Sequence, residues 1–176
     1  LDYVVTKVAR FPFDKFSDAS NKLGTQMKAT GEVMSIGRTM EESLLKAMRS
    51  LETGVCHIYH KKFDDWTNDR LLEYIAEPTD DRLYAIAQLI RGGVDLVLIY
   101  NRTKIDMFFL EKFKNIVEFE RVVEAAPMDI EVLREAKRMG FSDKFIGQLW
   151  GVSQHDMYLL REKNGNLTLC AQQLDI

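Results

Sequence analysis

The chain has 176 residues, of which 46% are hydrophobic, so it can bury a substantial core and is not a wholly disordered protein. Its net charge of -3 and pI of about 5.7 give no electrostatic reason to expect nucleic acid or an anionic membrane as a partner. No apolar run approaches the roughly 18 residues of a membrane span, and no signal-peptide pattern opens the chain, so we expect a soluble, cytoplasmic protein.

The N-terminal region is predicted to be β. Residues 1–8 are rich in Val and Thr, which favour strands, and residues 32–36 partly alternate polar with apolar side chains between two glycines. Because two strands alone are marginal in water, we expect residues 1 to about 37 to be the end of a larger domain whose sheet lies upstream. The aromatic side chains expected to pack against that body are Phe11, Phe13 and Phe16.

The first helix has a well-marked start. Thr39 can accept a backbone N–H bond, and Glu42 can reach back to the cap, which together form a capping box. Apolar residues then recur at helical spacing and predict one buried stripe. The stripe consists of Met40, Leu44, Ala47, Met48 and Leu51.

The segment 53–66 lacks a clear period and is predicted to be a loop with a half-buried cysteine. Cys56, His57 and His60 could belong to a metal cluster, but no second ligand pair at zinc spacing follows, so the loop is favoured. No acid or nucleophile lies near His57, His60 or His155 in sequence. Solvated or capping roles are therefore predicted for the three histidines.

Two helices and an ambiguous segment come next. Thr67 is predicted to cap a short helix that Pro78 ends. Asp80 and Asp81 open a second helix, which the glycine pair at 92–93 ends. Its core stripe is Leu83, Ile86, Ala87 and Ile90. The apolar run from Asp95 to Tyr100 fits a strand or a helix on sequence alone.

The longest helix is predicted to run from about Ile105 to Ala126, where Pro127 ends it. Its apolar stripe is wide enough to serve a core or a subunit contact, and a core is the default. The predicted buried side is Phe109, Leu110, Phe113, Ile116, Val117 and Val123. Two flanking apolar residues widen the stripe, which makes this helix the first candidate for an intersubunit surface. The candidate interface residues are Met107, Phe108, Phe109 and Phe113.

Three short helices are predicted in the last third, at about 129–139, 143–150 and 153–163, with Gly140 and Gly151 as C′ glycines. Ser153 and Asp156 form another capping box. The last two helices have the outline of a helix-turn-helix, which makes a DNA-binding module the alternative function. However, basic and acidic residues balance across this region, whereas a recognition helix needs excess positive charge. Nucleic acid is therefore not expected as a partner.

Uncommon sequence strings occur in one order along nearly the whole chain. They are YVVTKVARF at 3–11, TQMK at 25–28, GEVM at 31–34, IGRT at 36–39 with ES at 42–43, EPTD at 77–80 with YAIA at 84–87, TKID at 103–106 with FL at 109–110, AKRMGFSD at 136–143, and LR at 160–161. In this order they resemble the large subunit of carbamoyl-phosphate synthase.

The resemblance implies a mainly α fold: a helical oligomerisation domain preceded by a short β-containing tail of an ATP-grasp domain. Residues 1–50 would be the C-terminal tail of the carboxyphosphate-synthetic ATP-grasp domain with its linking helix. Residues 51–176 would be the all-helical oligomerisation domain. The ambiguous run from Asp95 to Tyr100 is then expected to be helical.

The resemblance also implies the chemistry of the parent enzyme. That enzyme is an ATP-dependent ligase, which makes carbamoyl phosphate for pyrimidine or arginine synthesis from bicarbonate, glutamine-derived ammonia and two ATP. It would use Mg²⁺ or Mn²⁺, and K⁺. The fragment would be inactive alone, without a cofactor, metal or catalytic residue, because no phosphate-loop, nucleophile-elbow or metalloprotease motif is present. Its expected role is self-association and positioning of the synthetase halves, with the rest of the large subunit and the glutaminase small subunit as partners.

One residue is expected to touch function directly. Glu32 matches a family glutamate on the internal passage that carries carbamate between the two phosphorylation sites, although a structural hydrogen-bonding role fits equally well. The C-terminal end departs from the family pattern, since residues 169–172 stand where a Pro-Val-Tyr-Lys-like string is expected. Cys56 and Cys170 are predicted to be free thiols in a reducing compartment.

Overall fold

A two-stranded hairpin precedes a helical body in the computed structural model, which describes residues 2–13 and 20–164. The hairpin consists of β1 (Val4–Arg10) and β2 (Gly31–Gly37). The helices are α1 (Met40–Ser50), α2 (Asn68–Tyr74), α3 (Arg82–Arg91), α4 (Leu96–Thr103), α5 (Met107–Ala125), α6 (Ile130–Arg138), α7 (Asp143–Trp150) and α8 (Gln154–Lys163), with a 3-10 turn at Lys61–Phe63. The predicted fold class, mainly α after a short β-containing segment, is confirmed.

The hairpin buries one of its faces against α1. The strands are antiparallel and place Thr6 opposite Ser35 on the buried face. Ser43 of α1 lies between them, since its hydroxyl donates to Thr6 Oγ1 at 2.6 Å and its carbonyl accepts from Ser35 Oγ at 2.5 Å. A Cβ at Gly37 would lie 2.7 Å from the Ser43 backbone nitrogen, so this close approach requires glycine. These contacts fix the hairpin to the helical body.

The start of α1 agrees with the sequence, with one change in its capping box. Thr39 Oγ1 accepts from the Glu42 N–H at 3.2 Å, as predicted. The Glu42 carboxylate, however, accepts from the backbone N–H of Arg38 at 2.7 Å, one residue before the cap. The apolar stripe is confirmed: Leu44, Ala47, Met48 and Leu51 are buried, and Met40 is half-buried.

The centre of the helical body is α5, which contacts α1, α3, α4, α6 and α7. Its core side chains are Leu110, Phe113, Ile116, Val117 and Val123. Trp150, at the end of α7, donates its indole N–H to the Val123 carbonyl at 2.6 Å. The long helix, its bounds to within two residues, and most of its buried side are therefore as predicted, except that Phe109 is exposed.

The other predicted helices are also present. The run after Asp95 is helical, as the family resemblance indicated, because the Asp95 side chain caps the Val97 N–H at 2.7 Å. Gly140 and Gly151 adopt the positive φ angles of C′ glycines, 92° and 67°. None of the helices within residues 2–13 and 20–164 is long and apolar enough to cross a membrane. Phe16, Cys170 and the divergent C-terminal string lie outside the described residues.

Candidate self-association surface and buried charge clusters

Helix α4 is apolar in sequence but exposed in the structure. It begins with five consecutive apolar residues, Leu96 to Tyr100, of which only Ile99 is buried. Val97, Leu98 and Tyr100 are exposed. A helix that is apolar on most sides is normally buried, and a large exposed apolar area marks an interaction surface. The exposed side of α4 is therefore a candidate surface for contact with another molecule.

The start of α5 adds two exposed aromatic side chains. Phe108 and Phe109 are 51% and 42% exposed, and their rings contact each other edge-on with centroids 5.3 Å apart. These rings lie in the first turn of α5, which follows soon after α4 ends at Thr103, and the two helices pack against each other. We define the α4–α5 face as Val97, Leu98, Tyr100, Phe108 and Phe109.

The four interface residues chosen from sequence occupy different environments. Phe108 and Phe109 are on the α4–α5 face, whereas Met107 is half-buried against the core. Phe113 is only 5% exposed and belongs to the core of this chain, so it has little surface to offer a partner. The interface role of these residues stays a prediction.

Glu32 is on the solvent-facing side of the hairpin. Its carboxylate, 60% exposed, binds the Lys7 ammonium at 2.9 Å across the two strands. The same side carries the exposed apolar residues that we define as the outer hairpin face: Tyr3, Val5, Met34 and Ile36. The salt bridge to Lys7 does not test the structural alternative, in which the Glu32 carboxylate accepts hydrogen bonds from strand and loop N–H groups. The passage role of Glu32 stays a prediction.

A buried charge cluster joins the loop after α1 to the helical body. His57, 1% exposed, donates from Nε2 to Glu120 Oε1 on α5 at 2.9 Å. Arg91 at the end of α3 donates to the same carboxylate from Nε at 2.8 Å and from Nη2 at 2.7 Å. Its Nη2 also donates to the Ile58 carbonyl at 2.9 Å. Phe145 of α7 stacks on the imidazole with centroids 3.7 Å apart. We call His57, Arg91 and Glu120 the His57 cluster.

Burial and hydrogen bonding set the charge states within this cluster. Burial raises the pKa of Glu120, but hydrogen bonds from Arg91 and His57 outweigh it and leave the pKa below its ordinary value. Burial lowers the pKa of His57 and outweighs its hydrogen bond to Glu120. The cluster therefore contains an ionised carboxylate, a guanidinium and a neutral imidazole whose Nδ1 has no partner among the described residues. The sequence-based prediction of a solvated or capping role for His57 was wrong.

The other two histidines agree with the sequence analysis. His60 caps the 3-10 turn, since its Nδ1 accepts from the Lys62 N–H at 3.1 Å, and His155 is exposed. Cys56 is half-buried, as predicted. Within residues 2–13 and 20–164, no group of three or more His, Cys, Asp or Glu side chains could hold a metal ion.

A second buried charge cluster joins the last three helices. Asp143, at the start of α7, accepts from Lys137 Nζ of α6 at 3.1 Å and binds Arg161 Nη2 of α8 at 2.9 Å. Lys137 also donates to the Phe141 carbonyl at 2.9 Å, and burial lowers its pKa despite Asp143. We call Lys137, Asp143 and Arg161 the Asp143 cluster. Two of the basic residues counted for the helix-turn-helix alternative are thus buried, which leaves fewer charges for DNA phosphates.

Sequence reasoning missed both clusters and most of the α4–α5 face. His57 and Glu120 are 63 positions apart, and no local pattern indicates their pairing. The apolar run in α4 was a usable signal: five apolar residues in a helix of eight leave little polar surface for solvent. An apolar fraction this high in α4 indicates that the helix contacts more than the core of its own chain.

A comparison with known families identifies the family of this chain. A family model described as carbamoyl-phosphate synthetase large chain, oligomerisation domain, matches residues 32–165, which is well over half of the chain. The chain belongs to this family. The match begins at Glu32 within β2 and runs through α8, so it covers all the described helices. The resemblance stated from sequence strings is confirmed.

Membership in the carbamoyl-phosphate synthetase family indicates a type of partner that suits the exposed apolar surface. An oligomerisation domain brings copies of a large chain together, so a second copy is a physically suitable cover for an apolar helix. The family is that of a ligase large chain, and self-association is the role that its description assigns to this domain.

Proposed function

We propose that this chain associates with a second copy of itself through the α4–α5 face. The observation that carries the proposal is the exposure of α4, where one of five consecutive apolar side chains is buried. Like surfaces meet in a two-fold dimer, so the same apolar residues would cover each other. Aromatic residues are enriched at interface centres, and Phe108 and Phe109 give this face two of them.

The outer hairpin face supports a second contact, with the rest of the large chain. Its four apolar residues are exposed on one side of a two-stranded sheet, and both strands have an edge without a neighbouring strand in the described residues. We infer that residues 1–50 are the tail of the carboxyphosphate-synthetic ATP-grasp domain with α1 as the linking helix. In this arrangement residues 51–176 are the oligomerisation domain proper.

The geometry of α1 supports a positioning role. One side of α1 packs on the hairpin, and another packs on α5, where Asn115 Nδ2 donates to Glu41 Oε1 at 2.9 Å. Because α1 packs on both the hairpin and α5, it fixes the orientation of the hairpin relative to the helical body. We infer that the chain positions the synthetase halves relative to the self-association surface, with Glu32 on the side that faces the rest of the large chain.

The proposed parent reaction follows from the family. We infer that the whole enzyme makes carbamoyl phosphate from bicarbonate, two ATP and ammonia supplied by a glutaminase small subunit. ATP, Mg²⁺ or Mn²⁺, and K⁺ would act outside this fragment, which would be inactive alone. A cytoplasmic location, without nucleic acid or membrane as partners, is part of the same proposal.

Two substitutions test the α4–α5 face. Val97→Asp on α4 and Phe108→Asp on α5 each place a charge on an exposed side chain, so the isolated fold should tolerate them. If the face is the contact, each should raise the dissociation constant of the dimer by roughly tenfold or more, because a charge in an interface centre loses its hydration. Sedimentation velocity across a concentration series measures this change.

Leu159→Asp is the matched control. Leu159 is an exposed apolar residue of α8, a helix whose main packing partner is α7. The dissociation constant should be unchanged in this variant, and circular dichroism should show full helicity in all three. Wild-type association by the two test variants, or an equal loss in the control, would contradict the proposed location.

A further inference from the structure

Helix α4 has few attachments to the rest of the chain. It has eight residues, and isolated helices shorter than about 12–15 residues are marginal in water, so its position depends on tertiary contacts. Among the described residues its main packing partner is α5, and Ile99 is its one buried side chain. A single buried side chain does not fix the direction of a helix axis. Contacts at the ends of α4 therefore contribute to its orientation.

The C-terminal end of α4 is bound by a side chain from another helix. Arg82, the first residue of α3, donates from Nη2 to the carbonyl of Thr103, the last residue of α4, at 3.2 Å. The last carbonyls of a helix have no partner within it, and a cation is favourable at that negative end. At the other end, Asp95 caps α4 from the adjacent sequence. The Arg82 bond is thus a direct connection between α3 and the end of α4.

Arg82 is poorly placed to stabilise its own helix. It lies at the N-terminus of α3, where the helix dipole disfavours a cation, and the first turn of α3 contains no acidic residue. Asp81, directly before it, binds Lys62 and Tyr74 instead. Burial lowers the pKa of Arg82, and its Nε is buried without a hydrogen-bond partner among the described residues. The contact with Thr103 explains why a charge that is costly for α3 lies here.

The turn that follows α4 is held by hydrogen bonds of its own. Thr103 Oγ1 donates to the Ile99 carbonyl at 2.8 Å and accepts from the Ile105 N–H at 3.1 Å. Lys104 adopts the left-handed conformation, with a φ of 57°, and its N–H donates to the Tyr100 carbonyl at 2.7 Å. The end of α4 and the turn to α5 are therefore one bonded unit, so a contact at the Thr103 carbonyl orients the helix.

We propose that Arg82 is a positioning residue for self-association, because it holds α4 on α3 in the orientation that completes the α4–α5 face. This inference rests on the proposed function and adds to it a residue that is not itself part of the face. A surface that is ordered before binding loses less conformational entropy when its partner docks. Arg82 thereby increases the affinity of one copy for another through α4.

Arg82→Gln tests this role by its effect on association. Glutamine is shorter and uncharged, so the bond to the Thr103 carbonyl is lost and α4 becomes less ordered. Sedimentation velocity should show that the dissociation constant of the dimer rises roughly three- to tenfold. Arg82→Lys keeps a cation that can donate one N–H to the same carbonyl. Its dissociation constant should therefore lie between those of Arg82→Gln and the wild type.

Hydrogen exchange separates positioning from a general structural role. In Arg82→Gln, at a concentration where the chain is monomeric, the amides of α4 should exchange faster than in the wild type, and those of α6 to α8 should be unchanged. A role confined to the stability of α3 would leave the α4 amides at their wild-type rates. Circular dichroism should show wild-type helicity in both Arg82 variants.

Arg121→Gln is the matched control. Arg121 of α5 donates from Nη2 to the carbonyl of Arg91, the last residue of α3, at 3.0 Å, so the same type of bond is made at the end of a different helix. Neither the exchange of the α4 amides nor the dissociation constant should change in this variant. Unchanged α4 amides in Arg82→Gln, faster exchange without a weaker dimer, or equal effects in Arg121→Gln would overturn the positioning role.

The Val97→Asp and Phe108→Asp variants keep this inference distinct from the proposed function. If they weaken the dimer and Arg82→Gln does not, the positioning role fails and the proposed self-association stands. If Arg82→Gln speeds exchange in α4 but none of the three variants changes association, the α4–α5 face is not the contact. In that case the proposed function fails, together with the inference that rests on it.

Discussion

Glu120 is predicted to be the most stability-critical carboxylate of the helical body. It lies between a neutral His57 and the Arg91 guanidinium, with contacts of 2.7 to 2.9 Å. Glu120→Gln keeps the size of the side chain but removes the charge that Arg91 needs. Removing one partner of a buried ion pair typically costs about 3–5 kcal/mol, because the other charge is left uncompensated.

The magnitude for Glu120→Gln should fall near the low end of that range. The amide oxygen of Gln can still accept one hydrogen bond, and Arg91 is not fully buried, since its side chain is 19% exposed. We expect a loss of about 3 kcal/mol in the free energy of unfolding. For a chain of this size each kcal/mol lowers the melting temperature by about 2–4 °C, so the shift should be about 6–12 °C.

Urea unfolding followed by circular dichroism measures this loss. Wild type and variants should be compared at equal protein concentration, because self-association adds concentration-dependent stability. Glu118→Gln is the control: Glu118 is on the same helix, exposed, and 3.5 Å from Lys114. It should cost under about 0.5 kcal/mol. If Glu120→Gln costs no more than Glu118→Gln, the His57 cluster does not hold the loop to the helices as argued.

Two further predictions concern pH and backbone geometry. Burial lowers the pKa of His57 below 6.5, so as the pH falls the unfolded chain binds a proton on this imidazole before the folded chain does. The contribution of His57 to the free energy of unfolding should therefore be fully present above pH 6.5. Below pH 6.5 the free energy of unfolding should decrease by at most about 1.4 kcal/mol per pH unit. Urea unfolding between pH 7.5 and 5.5 should show that the free energy of unfolding decreases less steeply in His57→Gln than in the wild type, and equally steeply in His155→Gln. The same pH dependence in both variants would contradict the burial argument. Gly140→Ala should cost about 2–4 kcal/mol in the same assay, since φ is 92° and a Cβ would lie 3.0 Å from the Glu42 Cα. Gly54→Ala, at a φ of 81° with open space around it, should cost only about 1 kcal/mol, and equal losses would refute the steric reasoning.

The elements of this fold could be predicted because their signals are local. Thr39, Thr67, Ser142 and Ser153 each cap the N-terminus of a helix with their own side chain. Such a cap depends on residues three positions apart, which a single sequence displays. The strands of the hairpin were predicted from similarly local signals, but the buried face was not, because polar Ser35 is buried while its apolar neighbours Met34 and Ile36 are exposed.

The charge clusters could not be predicted because they depend on tertiary contacts. Glu120 falls on the buried side of α5, yet its partners come from a loop and from α3. Nothing near Asp143 in sequence distinguishes it from an ordinary first-turn acid, although Arg161, 18 positions later, packs onto it. The exposure of α4 likewise depends on how the body is assembled, which its apolar run alone does not show.

Sedimentation equilibrium of the unmodified chain, over a wide concentration range and with and without a short DNA duplex, tests whether the chain associates with itself. We expect reversible association to at least twice the monomer mass of 20.4 kDa, unaffected by DNA. A mass of 20.4 kDa at every concentration would contradict self-association through these residues. A mass that increases only with DNA would instead support the helix-turn-helix alternative.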